Sequence, residues 1–157
     1  MPNLSAEIQI EAPKAQVWQA LIRKEDWRWW NTFLFDCDPN RPFMPGQNVS
    51  LALCRLEGEE ETSLRPRVTL VQPEHCLRWV SKIPGIRSEH VFELQELGPN
   101  RTQYIHRERL SGLLAGVFLP FIRQDEKQGI YRMARQLKRY VEQGHPPRRR
   151  AYNHRYY

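Results

Sequence analysis

The chain has 157 residues, of which 40% are hydrophobic and 27% charged, and this composition indicates one folded domain rather than a disordered chain. It contains neither the roughly 18 consecutive apolar residues of a membrane-spanning helix nor a secretory signal, so we expect a cytoplasmic protein. The net charge of +6 is concentrated in residues 144–157, which hold four arginines and no acid. The three cysteines are widely spaced, which predicts reduced thiols rather than a disulfide framework.

The first third of the chain predicts a strand, a helix and a second strand. Residues 4–11 alternate strictly between apolar and polar side chains, as is typical of a half-buried strand. After Pro13, apolar residues recur at helical spacing from Val17 to Leu21, which indicates a short helix. Residues 26–35 then form an aromatic-rich turn that leads into the second strand.

The middle of the chain predicts an antiparallel meander, since short turns separate its strand-like runs. These runs cover residues 48–56, 63–72, 76–81, 88–95 and 102–110. From Leu114 to Val141 the apolar residues recur at helical spacing, which predicts a helix of about 30 residues. We therefore expect an α+β domain over residues 1–143, in which a curved sheet wraps the long helix.

Two neighbouring strands carry a candidate polar site. His90 lies on the apolar face of the strand before the turn at Gly98, and His106 and Glu108 lie on the apolar face of the strand after it. An antiparallel register centred on this turn places His90 opposite His106 or Glu108. Such groups are costly inside a domain unless they hydrogen-bond to one another, to water or to a ligand.

The sequence leaves four interpretations of this cluster open. The groups satisfy one another or face solvent on an inverted strand, they bind the polar end of a ligand, they act in general acid–base catalysis, or they hold a metal ion. The metal is the least favoured, because no HExxH-like spacing is present. The chain also lacks the glycine-rich motifs of nucleotide sites, and no cofactor is expected.

The long helix carries a second clue near its centre. Asp125 and Gly129 fall near the middle of its averaged apolar face, where a tightly packed helix would have large apolar side chains. A small residue and an acid at these positions indicate either that the helix passes over a cavity or that it kinks near Gly129.

Taken together, these segments resemble the START-like (SRPBCC) superfamily, and in particular its polyketide cyclase/dehydrase-like branch. The resemblance covers residues 4–143, and it rests on residues spread along the chain: Ile8-Gln9-Ile10-Glu11-Ala12-Pro13, Val17-Trp18, Leu21, Trp30-Asn31, Phe33, Pro66, Val68, Leu77-Arg78-Trp79, His90-Val91-Phe92, Thr102, His106, Glu108, Gly112, Gly129 and Met133. Thr32 departs from the pattern, because relatives often have proline after Trp-Asn.

The resemblance implies a helix-grip fold, in which a seven-stranded antiparallel sheet wraps a long C-terminal helix and two short helices follow the first strand. It also implies a cavity between sheet and helix for a lipid, a polyketide or another small hydrophobic molecule. The residues expected to line this cavity are Leu51, Leu53, Val68, Trp79, Phe92, Leu94, Tyr104, Gly129 and Met133. His90, His106 and Glu108 would orient the polar end of the ligand or, in a cyclase or dehydratase, move its protons.

The basic tail offers an alternative of a different class. Residues 144–157 interleave Arg148, Arg149, Arg150 and Arg155 with tyrosines, a composition that suits an anionic surface or nucleic acid. A disordered, solubilising end is the favoured interpretation, because the segment is short and the rest of the chain is nearly balanced in charge. Nucleic-acid binding is therefore not expected.

Overall fold

The computed structural model of the chain describes residues 3–143. A strand is followed by two short helices, seven further strands and a long helix. The elements are β1 (Asn3–Ile10), α1 (Lys14–Ile22), a 3-10 helix (Lys24–Trp29), β2 (Leu34–Asp36), β3 (Leu51–Leu53), β4 (Thr62–Leu64), β5 (Arg67–Gln72), β6 (Cys76–Ile83), β7 (Ile86–Gly98), β8 (Arg101–Ser111) and α2 (Ala115–Glu142). Within the described part of the chain, no helix has the length and apolar character needed to cross a bilayer. The predicted basic tail, residues 144–157, lies outside the described residues.

The strands form two antiparallel sheets. The large sheet has five strands in the order β1-β8-β7-β6-β5, and the small sheet has three in the order β2-β3-β4. The α+β helix-grip architecture is thereby confirmed, with two short helices after β1 as expected. The prediction of one seven-stranded sheet is wrong in its strand count and in its continuity.

A proline accounts for the extra strand. The single strand predicted over residues 63–72 is divided into β4 and β5 at Pro66, which has no N–H to donate to a ladder. β4 pairs with β3, whereas β5 pairs with β6. The chain therefore passes from the small sheet to the large one at this proline.

The hairpin of β7 and β8 forms the centre of the large sheet. In its register the Cα atom of His90 faces that of Glu108, and Phe92 faces His106. This confirms the register predicted from the turn at Gly98. The alternation of each strand turns these four side chains toward the inside of the domain, where all are buried.

The helix α2 covers the concave face of the large sheet. Its buried side is apolar toward the C-terminal end, where Ile130, Met133, Ala134 and Leu137 are fully buried. The apolar residues that the resemblance assigned to a cavity all lie in the same core cluster: Leu51, Leu53, Val68, Trp79, Phe92, Leu94, Tyr104 and Met133. The predicted lining residues therefore pack in one hydrophobic core, and their role in lining a cavity stays a prediction.

Thr32 connects α2 to the start of the small sheet. Its N–H donates to Oε1 of Gln136 (3.0 Å), and its hydroxyl accepts hydrogen bonds from Arg132 Nε (2.9 Å) and Gln136 Nε2 (2.8 Å). A proline at this position would supply neither the N–H nor the hydroxyl. The departure of Thr32 from the family pattern thus has a structural reason in this chain.

A buried ion cluster joins the 3-10 helix to the small sheet. Lys24 is 1% exposed, and its Nζ donates to Oδ1 of Asp36 (2.6 Å) and Oδ1 of Asp38 (2.9 Å). The Asp38 carboxylate also accepts the N–H of Ser50 at 2.9 Å. Because a buried charge is stable only when it is paired, this cluster fixes both ends of the segment that leads into β3.

Candidate functional site

A group of buried titratable side chains lies on the concave face of the large sheet, beneath α2. The hairpin β7–β8 supplies His90, His106 and Glu108, and α2 supplies Glu126. These four side chains belong to residues that are at most 3% exposed. The strands hold the first three on one face because residues two apart in a strand point the same way.

His90 lies between the other two members of the hairpin. Its Nδ1 is 2.9 Å from Nε2 of His106, and its Nε2 is 3.3 Å from Oε2 of Glu108. Burial and the neighbouring His90 hold the pKa of His106 well below its usual value, so this ring is neutral at physiological pH. If His90 donates Nε2–H to Glu108, its Nδ1 accepts Nε2–H of His106, and Nδ1 of His106 becomes a hydrogen-bond acceptor.

The carboxylates of Glu108 and Glu126 interact directly. Burial alone would raise the pKa of Glu108, but His90 and hydrogen bonds from His90, Glu126 and Ser88 outweigh it and lower that pKa. Burial and the charge of Glu108 raise the pKa of Glu126 well above its usual value, against the opposing effect of Arg55. Glu126 therefore carries a proton that it shares with Glu108.

Arg55 connects this group to the surface. Its Nε donates to Oε1 of Glu126 at 2.6 Å, and its side chain is 30% exposed. Polar contacts thus run without a break from Arg55 through Glu126, Glu108 and His90 to His106. We call these five side chains the polar chain. Among the described residues, His90, Glu108 and Glu126 are the set whose potential metal-ligand atoms all lie within 4.8 Å of one another.

Three interior polar atoms next to the polar chain have no hydrogen-bond partner among the described residues: Nδ1 of His106, Oη of Tyr104 and Nε1 of Trp79. All three residues are 0% exposed. The ring of Tyr104 lies 6.5 Å from that of His106, and the ring of Trp79 lies 5.5 Å from that of His90. Leaving such an atom unsatisfied costs about 1–3 kcal/mol, so each is a place where a ligand atom or water is stabilised.

Three members of the polar chain were predicted from the sequence, and two, Arg55 and Glu126, were not. His90, His106 and Glu108 converge in the interior, and the alternative of a solvent-facing, inverted strand is wrong. Glu126 was not predicted, because the averaged apolar face of the long helix was centred near its neighbour Asp125. In the structure Asp125 is half-buried. A signal was present, since Glu126 stands four residues before Ile130 and so shares its buried side of α2.

Gly129 packs against an aromatic ring rather than facing an open space. A Cβ atom at this position would lie 2.4 Å from the ring of Phe33, and Phe33 is fully buried. The helix continues through Gly129 as one element, from Ala115 to Glu142. The missing side chain at position 129 therefore makes room for an aromatic ring, and the expected open space at this point is occupied by Phe33.

Two glycines of α2 allow this contact to be tested against a matched control. Gly129→Ala should lower the free energy of unfolding by about 1–3 kcal/mol, because overpacking against Phe33 exceeds the gain in helix propensity. Gly116→Ala has no atom within 4 Å of the new Cβ, so it should leave stability unchanged or raise it by up to about 1 kcal/mol.

Urea denaturation of both variants measures the difference. In a Phe33→Leu background the cost of Gly129→Ala should shrink, because the ring that it meets has been removed. Equal stability changes for Gly129→Ala and Gly116→Ala would contradict the assigned contact.

A family model described as Activator of Hsp90 ATPase homolog 1-like protein matches residues 11–142 of the chain. This model is of the START type, and the resemblance seen in the sequence is confirmed by it and by the solved structures below. A search of curated proteins found no match.

Several solved structures share the fold. A START superfamily protein from Mycobacterium smegmatis aligns with a TM-score of 0.68 at 16% identity, over 90% of this chain and 97% of that one. Norcoclaurine synthase from Thalictrum flavum, in complex with dopamine and hydroxybenzaldehyde, aligns with a TM-score of 0.66 at 12% identity, over 90% of this chain and 87% of that one. DynU16, from the dynemicin biosynthetic locus, gives 0.63 at 20% identity over 92% of this chain, which spans 48% of DynU16. At these identities the likeness concerns the fold alone.

Proposed function

This chain belongs to the Activator of Hsp90 ATPase homolog 1-like family, and from that premise we propose that it binds a small hydrophobic molecule with one polar end. The ligand lies between the large sheet and α2, with its polar end toward His90, His106 and Glu108. A relative of the same fold, norcoclaurine synthase, holds two small aromatic molecules, dopamine and hydroxybenzaldehyde. Its complex supports the idea that this architecture accommodates ligands of that size.

One observation carries the proposal, namely three unsatisfied polar atoms that lie beside the polar chain in the interior. Nδ1 of His106, Oη of Tyr104 and Nε1 of Trp79 are fully buried and have no partner among residues 3–143. A core that served packing alone would gain free energy by replacing them with apolar groups. Binding sites for small molecules commonly combine apolar walls with a few such polar atoms.

Phe33 is the side chain that makes way for the ligand. Its ring lies against Gly129 and 6.5 Å from the ring of His106, so it lies between α2 and the polar chain. A rotation of Phe33 would open volume between Gly129, Met133 and the sheet. The predicted lining residues would then contact the apolar part of the ligand, and His106 would contact its polar end.

A matched pair of probes tests this proposal. A hydroxyl can donate a hydrogen bond to Nδ1 of His106, so 2-naphthol should bind roughly 10-fold more tightly than naphthalene. This factor corresponds to about 1.4 kcal/mol, which is typical of one hydrogen bond. His106→Phe should remove this preference and retain naphthalene binding. His75→Phe is the control, since His75 is exposed on the outside of the domain.

The affinities are measured by fluorescence titration in the presence of a chelator. The proposal fails if the native chain binds neither probe, or if it binds both equally. A preference for 2-naphthol that survives His106→Phe would show that another group receives the hydroxyl. Native mass spectrometry of the purified protein complements the titration, because a retained hydrophobic molecule identifies the chemical class of the natural ligand.

Proton transfer on the bound ligand is a second candidate function, and the polar chain favours it. With Glu108 charged and His90 as the bridge, Nδ1 of His106 is placed to accept a proton from a ligand while Nε2–H passes toward His90. This relay would support a cyclase or dehydratase acting on a polyketide-like ketone. His106 would then be the base, and Glu108 would stabilise the charge that develops on the imidazoles.

Exchange of the α-protons of 2-tetralone in deuterated water, followed by NMR, tests this candidate. The native chain should accelerate the exchange. Glu108→Gln should lose about 100-fold or more of that acceleration, because the charge that develops on the imidazoles is no longer stabilised. Binding of 2-naphthol should persist in Glu108→Gln, which separates catalysis from binding. An exchange rate that is the same with and without the native chain would rule out the base.

A further inference from the structure

We propose that His90, Glu108 and Glu126 form a binding site for a divalent transition-metal cation of the zinc type. This goes beyond the proposed ligand binding and does not depend on it. The three residues can each offer one ligand atom, and these atoms lie within 4.8 Å of one another. One imidazole nitrogen with two carboxylate oxygens is a donor set that suits Zn²⁺ and its neighbours in the first transition row.

Two buried carboxyl groups meet at this site. Glu108 and Glu126 are 3% and 1% exposed and come from different elements, so no local constraint of the chain forces them together. Such a pair needs a positive species between its oxygens, which is either a proton or a cation. Oε1 of Glu108 is buried, and no N–H donor among the described residues reaches it.

Each of the three ligand side chains already has an orienting partner. Ser88 Oγ donates to Oε2 of Glu108 at 2.7 Å, and Arg55 Nε donates to Oε1 of Glu126 at 2.6 Å. If Nε2 of His90 binds the cation, its Nδ1–H donates to Nε2 of His106, 2.9 Å away. Metal sites in proteins usually include such outer partners, which fix the ligand atoms in place.

The spacing of the ligand atoms requires only a limited adjustment. In a tetrahedral zinc site with bonds of about 2.0–2.2 Å the ligand atoms lie about 3.4 Å apart. Atoms that lie within 4.8 Å of one another must therefore approach by at most about 1.4 Å to bind one ion. Three protein ligands leave a fourth position for water or for the polar end of a bound molecule. Mg²⁺ and Ca²⁺ fit poorly, because they prefer six or more oxygen ligands.

Cobalt serves as the probe, because its visible absorption reports coordination directly. The full chain, without an affinity tag, should bind one Co²⁺ with the intense absorption of a four- or five-coordinate site. Zn²⁺ should displace this ion, whereas Mg²⁺ in excess should not. Glu126→Gln should weaken Co²⁺ binding by about 100-fold or more, since it removes a ligand.

The matched control is Asp125→Asn, which neutralises the adjacent half-buried acid of the same helix turn. This variant should bind Co²⁺ as the native chain does. A second control replaces His145 and His154 of the tail with glutamine and should also leave the affinity unchanged. Equal affinity in Glu126→Gln and Asp125→Asn would overturn the proposal, as would a loss confined to the tail variant.

X-ray absorption of the zinc-loaded native chain provides a measurement that does not depend on the folding of any variant. The spectrum should show one imidazole and otherwise oxygen ligands. Sulfur in the coordination shell would place the ion on a cysteine, and two or more imidazoles would place it elsewhere, so either result refutes the site. The naphthol titrations are made in chelator, so failure of the metal site leaves the test of ligand binding intact.

Discussion

Burial of the polar chain is the constraint on which the rest of this structure depends. When the protein folds, the imidazoles and carboxyl groups between the concave sheet and α2 lose their hydrogen bonds to water and form hydrogen bonds with one another. A member left unpaired would lower the stability of the fold by several kcal/mol. His90 must therefore face Glu108 across β7 and β8, and Glu126 must reach Glu108 from α2. Arg55 completes the set from the segment after β3. The register of the hairpin, the position of the helix and the docking of the small sheet thus follow from one set of contacts.

One side of α2 makes both the polar and the apolar contacts to the small sheet. Glu126, Gly129, Arg132 and Gln136 recur at intervals of three or four residues, which aligns them along the helix. Glu126 meets Arg55, Gly129 admits the ring of Phe33, and the other two bind Thr32. The Arg132 guanidinium also donates to the carbonyl oxygens of Cys54 (2.8 Å) and Arg55 (3.1 Å). Because the same side of the helix holds Phe33 and the polar chain, motion of α2 would affect the ligand space and the carboxyl pair together.

The features that the sequence predicted correctly depend on residues that are close together in the chain. The alternation of β7 and β8 and the short turn at Gly98 were sufficient to place His90 opposite Glu108. The division of residues 63–72 at Pro66 is also a local effect, although the pattern of alternation concealed it. The contact between Gly129 and Phe33 joins residues far apart in the chain, and neither residue alone indicates it. The role of Glu126 likewise depends on which side of α2 meets the sheet, which tertiary packing determines.

The protonation of His106 is the most direct readout of the buried polar chain, because it follows from burial and from the contact with His90 together. Long-range ¹H–¹⁵N NMR spectra distinguish the neutral tautomers of each histidine ring from the imidazolium. Because its pKa lies well below the usual value, the His106 ring should stay neutral as the pH is lowered through the range in which an ordinary histidine gains its proton. Histidine in a short unstructured peptide serves as the reference for ordinary titration. A His106 ring that titrates over the same pH range as the peptide histidine would contradict a sealed polar chain beneath α2.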